Sequence, residues 1–574
     1  MQLLQHFKEL TLRPKNAQEL KGLILQLAIQ GKLTANWRKE NPNVEPASEL
    51  LKKIQKEKEQ LVKDKKINKE KSLPKLIEDE IPYKIPAGWN WCRLRDTGFT
   101  QTGSTPPKKN PENYGDFIPF IGPADISNHS MKYPVSGLSE LGISIGRLIP
   151  KDSIMMVCIG GSIGKCNINE VDVSCNQQIN TVTPVFMPAV YVKVICQSPY
   201  FQKSVLDKAS GSATPIINKG KWETLPIPIP PLQEQKEIVN VVETLFKEVE
   251  QLEQLTVARI GLKEDFVTSA LQQLTTNSTN QEWINLQEHF KSFFNETTNI
   301  KKLRETILQL AVQGKLTADW RSNHPELVEG DFHAQKLLDR IQKEKAQLIA
   351  DKKIKKEKAL PPITEDKIPY ELPEGWVWSK LGMISLIVGG GTPKSSNPEY
   401  FSEEGISWFT PADLGKSKTK YVERGRRDIT KLGLEKSSAQ LMPKGSVMFS
   451  SRAPIGHTAI GLKDFSTNQG FKSSVPYFME MNEYIYIYLN SIVKDANENA
   501  SGTTFKEVSG TIVKNFLFPL PPLEEQKAIV EKVNALMGLC DALEQEVQQS
   551  QQHSEMMMQS VLKEIFEGRK EVAN

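Results

Sequence analysis

The sequence predicts a mixed α/β protein made of two copies of one unit. Two long antiparallel coiled-coil helices would separate two α/β domains with pseudo-two-fold symmetry. Three observations predict this fold class. Segments of the first half recur in the second half, and each half contains short apolar runs separated by Gly and Pro. Each half also closes with a long helical pattern whose apolar residues repeat every 3.5 positions.

Composition sets the broad class. A chain of 574 residues is long enough for several domains, and 39% hydrophobic with 25% charged residues is typical of a protein that buries cores. The net charge of +4 neither requires nor excludes a nucleic-acid partner. No apolar run approaches a membrane span, and no secretory signal is visible. The six cysteines form no C-x-x-C pair, so we expect a reduced, cytoplasmic protein without a metal site.

The duplication is the most informative feature. The matching pairs are Leu20–Arg38 with Leu303–Arg321, Leu51–Leu94 with Leu338–Leu381, and Leu225–Val239 with Phe516–Val530. A period of about 285 residues is far longer than a solenoid repeat, so each copy can hold its own domain. The stretches between the matching segments agree only at scattered points, which indicates a shared frame with a divergent insert.

The pattern predicts six segments. They are an N-terminal helical region with a basic helix (1–81), a first α/β domain (82–229), a central long helix (230–275), a linker with a second helical region (276–367), a second α/β domain (368–520), and a C-terminal long helix (521–574).

Each frame begins with helices. Leu20–Gln30 has helical apolar spacing and stops at Gly31, and Ser48 is expected to cap a second helix that runs to about Lys71. Lys52–Lys75 contains ten lysines and four acids, and Lys343–Lys358 is its counterpart. This basic segment is either a solvated helix face or an arm that contacts phosphates.

The inserts read as strands and loops. The alternating pairs Trp89 and Trp91, and Trp376 and Trp378, favour a strand that enters each α/β domain, with the rings either in the core or free to stack on bases. Short apolar runs such as Ile154–Ile159 predict further strands. Thr275–Asn299, which is rich in Asn and Thr, is interpreted as a linker.

The long helices are predicted to start at Pro230-Pro231 and Pro521-Pro522. The seam positions assigned to the interface are Ile238, Val242, Leu245 and Val249, and Ile529, Val533, Leu536 and Leu543. The 3.5-residue period favours packing of the two helices on each other, which would make a stiff spacer. The alternative is that each helix packs on its own domain.

We find no catalytic constellation in the sequence. Gly160–Cys166 resembles a phosphate loop but has the wrong glycine spacing and Cys in place of Ser or Thr. The motifs of base methyltransferases, zinc proteases and serine hydrolases are absent, and the seven histidines have no ligand spacing.

Binding residues remain as candidates, because Lys and Arg suit phosphates and guanine edges while Asn and Gln suit adenine edges. In the first copy they are Thr105, Lys108, Lys109, Asn110, Lys165, Asn176, Gln177, Gln178, Lys219 and Lys221. In the second they are Thr392, Lys394, Asn397, Arg452, His457, Asn468, Gln469, Lys472 and Lys506.

Together these segments resemble the specificity subunit of type I restriction-modification systems. The likeness rests on four paired elements that cover nearly the whole chain twice. They are AIQGKLT (28–34) with AVQGKLT (311–317), the GWNW and GWVW entries, the two G-x-T-P turns, and the helix starts PPLQEQKEIV and PPLEEQKAIV.

The resemblance implies a non-catalytic subunit. Each insert would be a target recognition domain that reads one half of a bipartite site in double-stranded DNA, and the helices would set the spacer. The partners would be two methyltransferase subunits, which use S-adenosylmethionine, and restriction subunits, which use ATP and magnesium. The lysine-rich segments would touch DNA or the methyltransferase subunits. The remaining alternatives are a self-contained enzyme and a coiled-coil scaffold without sequence-specific DNA binding.

Overall fold

The computed structural model describes residues 14–68, 73, 76–211, 214–276, 281–416, 419–452, 454–501 and 506–567. The chain divides into two compact units. The first comprises the described residues within Met1–Gly261 and His553–Asn574, and the second those within Leu262–Gln552.

The first unit begins with three helices and continues into an α/β domain. Its elements are α1 Pro14–Ile29, α2 Ala35–Glu40, α3 Ala47–Lys63, β1 Asn90–Arg93, β2 Gly98–Thr102, β3 Tyr114–Gly115, β4 Phe120–Ile121, β5 Gly137–Leu138, α4 Glu140–Ile145, β6 Ile154–Val157, β7 Cys166–Ile168, β8 Ser174–Cys175, β9 Ile179–Pro184, α5 Ala189–Gln197, α6 Pro199–Lys208, α7 Lys219–Trp222, β10 Pro226–Ile229 and α8 Leu232–Thr276, whose last residues lie in the second unit.

The second unit follows the same plan. Its elements are α9 Gln281–Glu288, α10 Phe290–Phe293, α11 Thr297–Val312, α12 Ala318–Asn323, α13 Ala334–Ala350, β11 Val377–Lys380, α14 Leu381–Ile384, β12 Ser385–Gly389, β13 Phe401–Ser402, β14 Ile406–Phe409, α15 Pro411–Lys416, β15 Tyr421–Val422, β16 Arg427–Ile429, α16 Lys431–Glu435, β17 Val447–Phe449, β18 Thr458–Gly461, β19 Phe465–Thr467, β20 Lys472–Pro476, α17 Asn482–Ser491, α18 Val493–Glu498, α19 Gly510–Asn515, β21 Leu517–Leu520 and α20 Leu523–Glu567.

The main sheets share one strand order. The first unit has β2-β9-β6-β7, and the second has β12-β20-β17-β18 with β15 added at the edge. A smaller set of strands also recurs, as β3-β5 and β4-β8 in the first unit and as β13-β16-β14-β19 in the second. An antiparallel ribbon, β1 with β10 or β11 with β21, joins the start and end of each domain. Proline is tolerated in such a two-stranded ribbon because each strand has a free edge.

The apolar seam residues of the long helices are buried in their own units. In the first unit Ile238, Val242, Leu245 and Val249 belong to a core that also contains apolar residues of α1. In the second unit Ile529 and Val533 are buried, with Leu536 and Leu543 packed against a core that contains residues of α11. This is the arrangement of the alternative interpretation, while a seam between the two long helices stays a prediction.

Several local predictions are confirmed. Both long helices begin directly after a Pro-Pro pair. A strand follows Trp89, whose ring is buried, so the core interpretation holds for this residue. Gly31 has φ +68°, and a Cβ there would meet Pro86 at 2.6 Å, which explains the stop after α1.

Two local predictions are wrong. The second helix is preceded by Pro46 rather than capped by Ser48, and it ends at Lys63, where Lys65 takes a left-handed conformation (φ 57°). The stretch Thr275–Asn299 is not a plain linker, because α9, α10 and the start of α11 lie there and bury Leu286 and Phe294. Residues 277–280 lie outside the described part of the chain.

Candidate nucleic-acid interface

Two features that some catalytic sites use are a metal cluster and an activated thiol. No group of three or more His, Cys, Asp or Glu in that part of the chain could hold a metal ion. Burial raises the pKa of Cys158, Cys166 and Cys175 to about 12, so these thiols are protonated at neutral pH and are poor nucleophiles. The Gly160–Cys166 loop leads into strand β7, whereas a phosphate loop leads into a helix. Among the helices of the described residues, none combines the length and the apolar character that a membrane span needs.

The repeated motifs of the frame meet at a buried carboxylate. In the first unit, Glu234 at the start of α8 is fully buried. Thr34 Oγ1 donates a hydrogen bond to Glu234 Oε1 at 2.7 Å, and Trp89 Nε1 donates to Oε2 at 2.8 Å. Arg38 Nη1 forms an ion pair with Oε1. A single carboxylate therefore ties α1 and α2 to the domain entry and to the long helix.

The second unit repeats this cluster. Thr317 Oγ1 donates to Glu525 Oε1 and Trp376 Nε1 donates to Oε2, each at 2.7 Å, while Arg321 forms the ion pair. The QGKLT, GW and PPL-x-EQ motifs thus serve the frame. They surround a buried carboxylate with an arginine partner and two further hydrogen-bond donors, as burial of such a group requires.

The loops that carry most candidate binding residues gather at one edge of each main sheet. In the first unit Thr102 pairs with Asn180 and Val157 pairs with Ile179, so the end of β2, the start of β9 and the end of β6 lie side by side. In the second unit Gly389 pairs with Lys472, and Ser450 bridges Phe471. We call the end of each main sheet at which these strand ends and their loops meet the loop edge of that domain.

A threonine and a glutamine join two loops at each loop edge. Thr105 Oγ1 donates to Gln177 Oε1 at 2.6 Å in the first unit. Thr392 Oγ1 donates to Gln469 Oε1 in the second. We call each pair a Thr–Gln clasp, and both clasps are accessible to solvent.

The glycine before each clasp permits the contact between the loops. A Cβ on Gly103 would lie 2.0 Å from the carbonyl oxygen of Asn176, and one on Gly390 would lie 1.9 Å from that of Asn468. The asparagine side chains act within their own loop, since Asn176 Oδ1 accepts from the Gln178 N–H at 3.0 Å and Asn468 Oδ1 accepts from the Gly470 N–H at 2.9 Å. They support the loop conformation.

The remaining candidates of the first copy divide into two groups. Lys108, Lys109, Lys165 and Lys221 are exposed, and Asn110 precedes a short 3₁₀ turn. Lys219 forms an ion pair with Glu223 at 2.7 Å, and Glu223 also accepts from Thr100 Oγ1 at 2.5 Å. Lys219 is therefore part of a largely buried polar network that also contains Glu223 and Thr100.

In the second copy the structure places several candidates close together. Arg452 and Lys472 both pair with Glu507, at 3.9 and 3.2 Å. His457 Nδ1 lies 3.3 Å from the Pro411 carbonyl oxygen. Lys394 and Lys506 are exposed, whereas Asn397 accepts from the Glu399 N–H at 3.2 Å and so caps a turn.

The basic helices combine anchored and exposed lysines. Lys58 Nζ on α3 donates to the Arg95 carbonyl at 2.7 Å, and Lys345 Nζ on α13 donates to the Gly382 carbonyl at 3.0 Å. Lys52 and Lys53 pair with Glu49 and Glu45, both at 2.8 Å, as expected of a solvated face. Lys69, Lys71 and Lys75 lie outside the described residues, and a role in phosphate binding stays a prediction.

One basic loop of the second copy was missed by the sequence reasoning. Arg424 and Arg426 lie between β15 and β16, and Arg427 is the first residue of β16. The loop is next to the segment that follows β14. Arg424 pairs with Asp428 and Arg426 with Asp413, both at 3.0 Å, and Arg427 lies over the Phe401 ring. The run RGRR (424–427) indicates a basic loop in the sequence, but residue spacing alone does not show which side chains these arginines contact.

This arginine loop belongs to the loop edge of the second unit. The Asn468 N–H donates to the Phe409 carbonyl at 2.9 Å, and Trp408 Nε1 donates to the Gly391 carbonyl at 3.0 Å. A Cβ on Gly425 would lie 2.5 Å from the Trp408 carbonyl oxygen. The arginines, the segment after β14 and the Thr–Gln clasp are therefore neighbours.

Comparison with known proteins gives consistent results. Residues 86–258 and 373–551 match the family described as the type I restriction modification DNA specificity domain. The chain is 30% identical to the type I restriction enzyme EcoAI specificity subunit of Escherichia coli, over 92% of this chain and 90% of that protein. It is 27% identical to the EcoEI specificity subunit of the same organism, over 93% and 91%.

A chain from a solved structure of a type I R-M system has a similar fold. The TM-score is 0.50 at 18% identity, covering 85% of this chain and 100% of that one.

Proposed function

This chain belongs to the type I restriction modification DNA specificity family, and from this premise we propose that each loop edge binds one half of a bipartite site in double-stranded DNA. The protein is the non-catalytic specificity subunit of a restriction-modification complex. The observation that supports the proposed surface is the Thr–Gln clasp. The same polar contact recurs at the same edge of two domains whose neighbouring loops differ.

The clasp suits a contact that both half-sites share. Each threonine hydroxyl donates to the glutamine carbonyl oxygen, which leaves the amide NH₂ group as a solvent-facing donor. Phosphate oxygens accept such bonds at any DNA sequence, whereas base edges differ between half-sites. We assign the clasps to the DNA backbone, and the divergent residues around them to the bases.

The long helices α8 and α20 would separate the two recognition domains and set the spacer between half-sites. Each is 45 residues long, which corresponds to about 65 Å of α-helix. Antiparallel pairing of their outer parts is the arrangement we propose. Rigid spacing of two recognition elements fixes the separation of two half-sites.

The partners we propose are two methyltransferase subunits and the restriction subunits that translocate and cleave DNA. The two matching frames suit one partner that binds twice. S-adenosylmethionine, ATP and magnesium would be bound by those partners, and this chain would need no cofactor of its own.

Sequencing of methylated bases tests the proposal. The chain is co-expressed with the methyltransferase subunit of its own locus, and the host DNA is sequenced for modified bases. We expect one bipartite motif with a fixed gap, which disappears when the methyltransferase subunit is expressed alone. Methylation that does not depend on this chain would contradict the proposal and favour a scaffold role. Modification or cleavage of DNA by the purified chain alone would indicate a self-contained enzyme.

A further inference from the structure

Arg426 combines an exposed guanidinium with a buried anchor. Its side chain is 66% exposed, whereas the side chain of its partner Asp413 is only 8% exposed. Arg426 Nε donates to Asp413 Oδ1 at 3.0 Å. A surface arginine normally samples many rotamers, so a buried carboxylate at Nε restricts where its outer nitrogens point.

Asp413 is itself firmly held. The backbone N–H of Thr410 and the Thr410 hydroxyl both donate to Asp413 Oδ2, at 2.8 and 2.7 Å. Burial acts to raise the pKa of Asp413, but the hydrogen bonds from Thr410 and from Arg426 outweigh it and keep the pKa below the ordinary value. Asp413 is therefore a fixed anion near neutral pH.

The contact through Nε leaves both Nη nitrogens of Arg426 available among the described residues. They form a planar fork of donors, and such a fork matches the O6 and N7 acceptors of guanine in the major groove. Its neighbour Arg424 differs, because its Nε and Nη2 both bind Asp428, at 3.2 and 3.0 Å. Arg424 is 49% exposed, but two of its nitrogens are already bound to Asp428, so it serves as a natural comparison.

We propose that Arg426, oriented by Asp413, reads a guanine in the half-site bound by the second recognition domain. This inference rests on the proposed function, since it needs the loop edge to face DNA. Arg426 would be the base-contacting residue, and Asp413 a positioning residue.

The first recognition domain has no equivalent Arg–Asp pair at the corresponding position among its described residues. Asp125 occupies the position that corresponds to Asp413, and its Oδ2 accepts from the Gly122 N–H at 2.8 Å. The described residues give Asp125 no arginine partner. The guanine contact should therefore be confined to one half-site.

The test uses the complex of this chain with its methyltransferase subunit. Duplexes carry the motif found by methylome sequencing, or the same motif with A, C or T in place of each G of one half-site. The readout is the ratio of kcat/KM between the guanine duplex and each altered duplex. This ratio does not depend on the fraction of protein that is active.

For R426Q we expect the discrimination at one guanine to fall by about 5- to 150-fold, with the other positions unchanged. R426K, which keeps the charge but loses the fork, should lose most of this discrimination. D413N should lose part of it, because Arg426 remains but is less well oriented. The matched control R424Q should keep the wild-type ratio at every position.

Two outcomes would overturn the inference. An equal loss of rate on all duplexes in R426Q would identify a phosphate contact, and unchanged ratios with unchanged rates would identify a structural ion pair only. Failure of the proposed function would look different, because the wild-type complex would then yield no bipartite motif at all.

Discussion

The two halves of the chain agree at one end of each unit and differ at the other. At the base of each domain, Glu234 and Glu525 collect the same threonine, arginine and tryptophan donors at nearly the same distances. At the loop edge the Thr–Gln clasp recurs, but Asp413 accepts from Arg426 where Asp125 accepts from the backbone N–H of Gly122. The frame contacts therefore repeat in the two units, whereas the contacts of the loops differ.

The difference between the two loop edges indicates which part of the fold can provide sequence specificity. The main sheets have the same strand order, so the extra edge strand β15 and the arginine loop are additions to a common scaffold. Residues on loops that are positioned by a rigid sheet commonly carry function. We expect changes in one frame to affect the stability of its own unit, and changes at one loop edge to affect one half-site.

The largest expected effect comes from exchanging a whole insert. Replacement of Gly98–Thr224 by the corresponding insert of a related subunit should change one half of the methylated motif completely. The other half and the gap should stay the same, because the second domain and both long helices are untouched. Methylome sequencing of cells that express the exchange variant measures this. An exchange that alters both halves, or neither, would contradict the modular view.

Much of the frame could be predicted from the sequence because it is repeated. The Pro-Pro starts of α8 and α20 and the strand after Trp89 all follow from local rules of helix and turn chemistry. The strand Ile154–Val157 was visible as a short apolar run. These features depend on residues close together in the chain.

The loop edge could not be assembled in the same way. Arg426 and Asp413 are 13 positions apart on a loop and a short helix, and only the fold brings them within 3.0 Å. The seam positions of α8 and α20 show the converse problem. Their period identifies an apolar stripe, but a stripe does not say which surface covers it. In each unit, residues of α1 or α11 share the core with this stripe.

Removal of the buried charge tests whether the two frames are equivalent. In E234Q the amide has one acceptor oxygen and one NH₂ donor group in place of two acceptor oxygens. At least one of the donors from Thr34, Arg38 and Trp89 then faces the NH₂ group and loses its acceptor. Breaking a buried ion pair typically costs about 3–5 kcal/mol. We expect hydrogen exchange of α1 to accelerate by about 100-fold or more, and E525Q to do the same to α11.

The matched control for this pair is E524Q. Glu524 lies beside Glu525 but is 40% exposed and forms a surface ion pair with Lys527, so its replacement should change exchange very little. If E234Q accelerated hydrogen exchange in α11 as strongly as in α1, the two frames would not be independent of each other. An effect of E525Q without one of E234Q would show that the clusters differ in spite of their matching contacts.

The smallest expected effect concerns the clasps and separates a shared contact from a specific one. T105V and T392V keep the side-chain shape but remove the hydroxyl that holds Gln177 or Gln469. Loss of one such hydrogen bond costs about 0.5–1.5 kcal/mol, so DNA should bind about 2- to 12-fold more weakly in either variant. Fluorescence anisotropy with the cognate duplex measures this, and T105S, which keeps the hydroxyl, should bind as the wild type does.

Because a phosphate contact carries no sequence information, the methylated motif should be the same in both variants. A motif that relaxes at a single base in T105V or T392V would instead make that clasp a base reader, and the two loop edges would then differ even in the part they share.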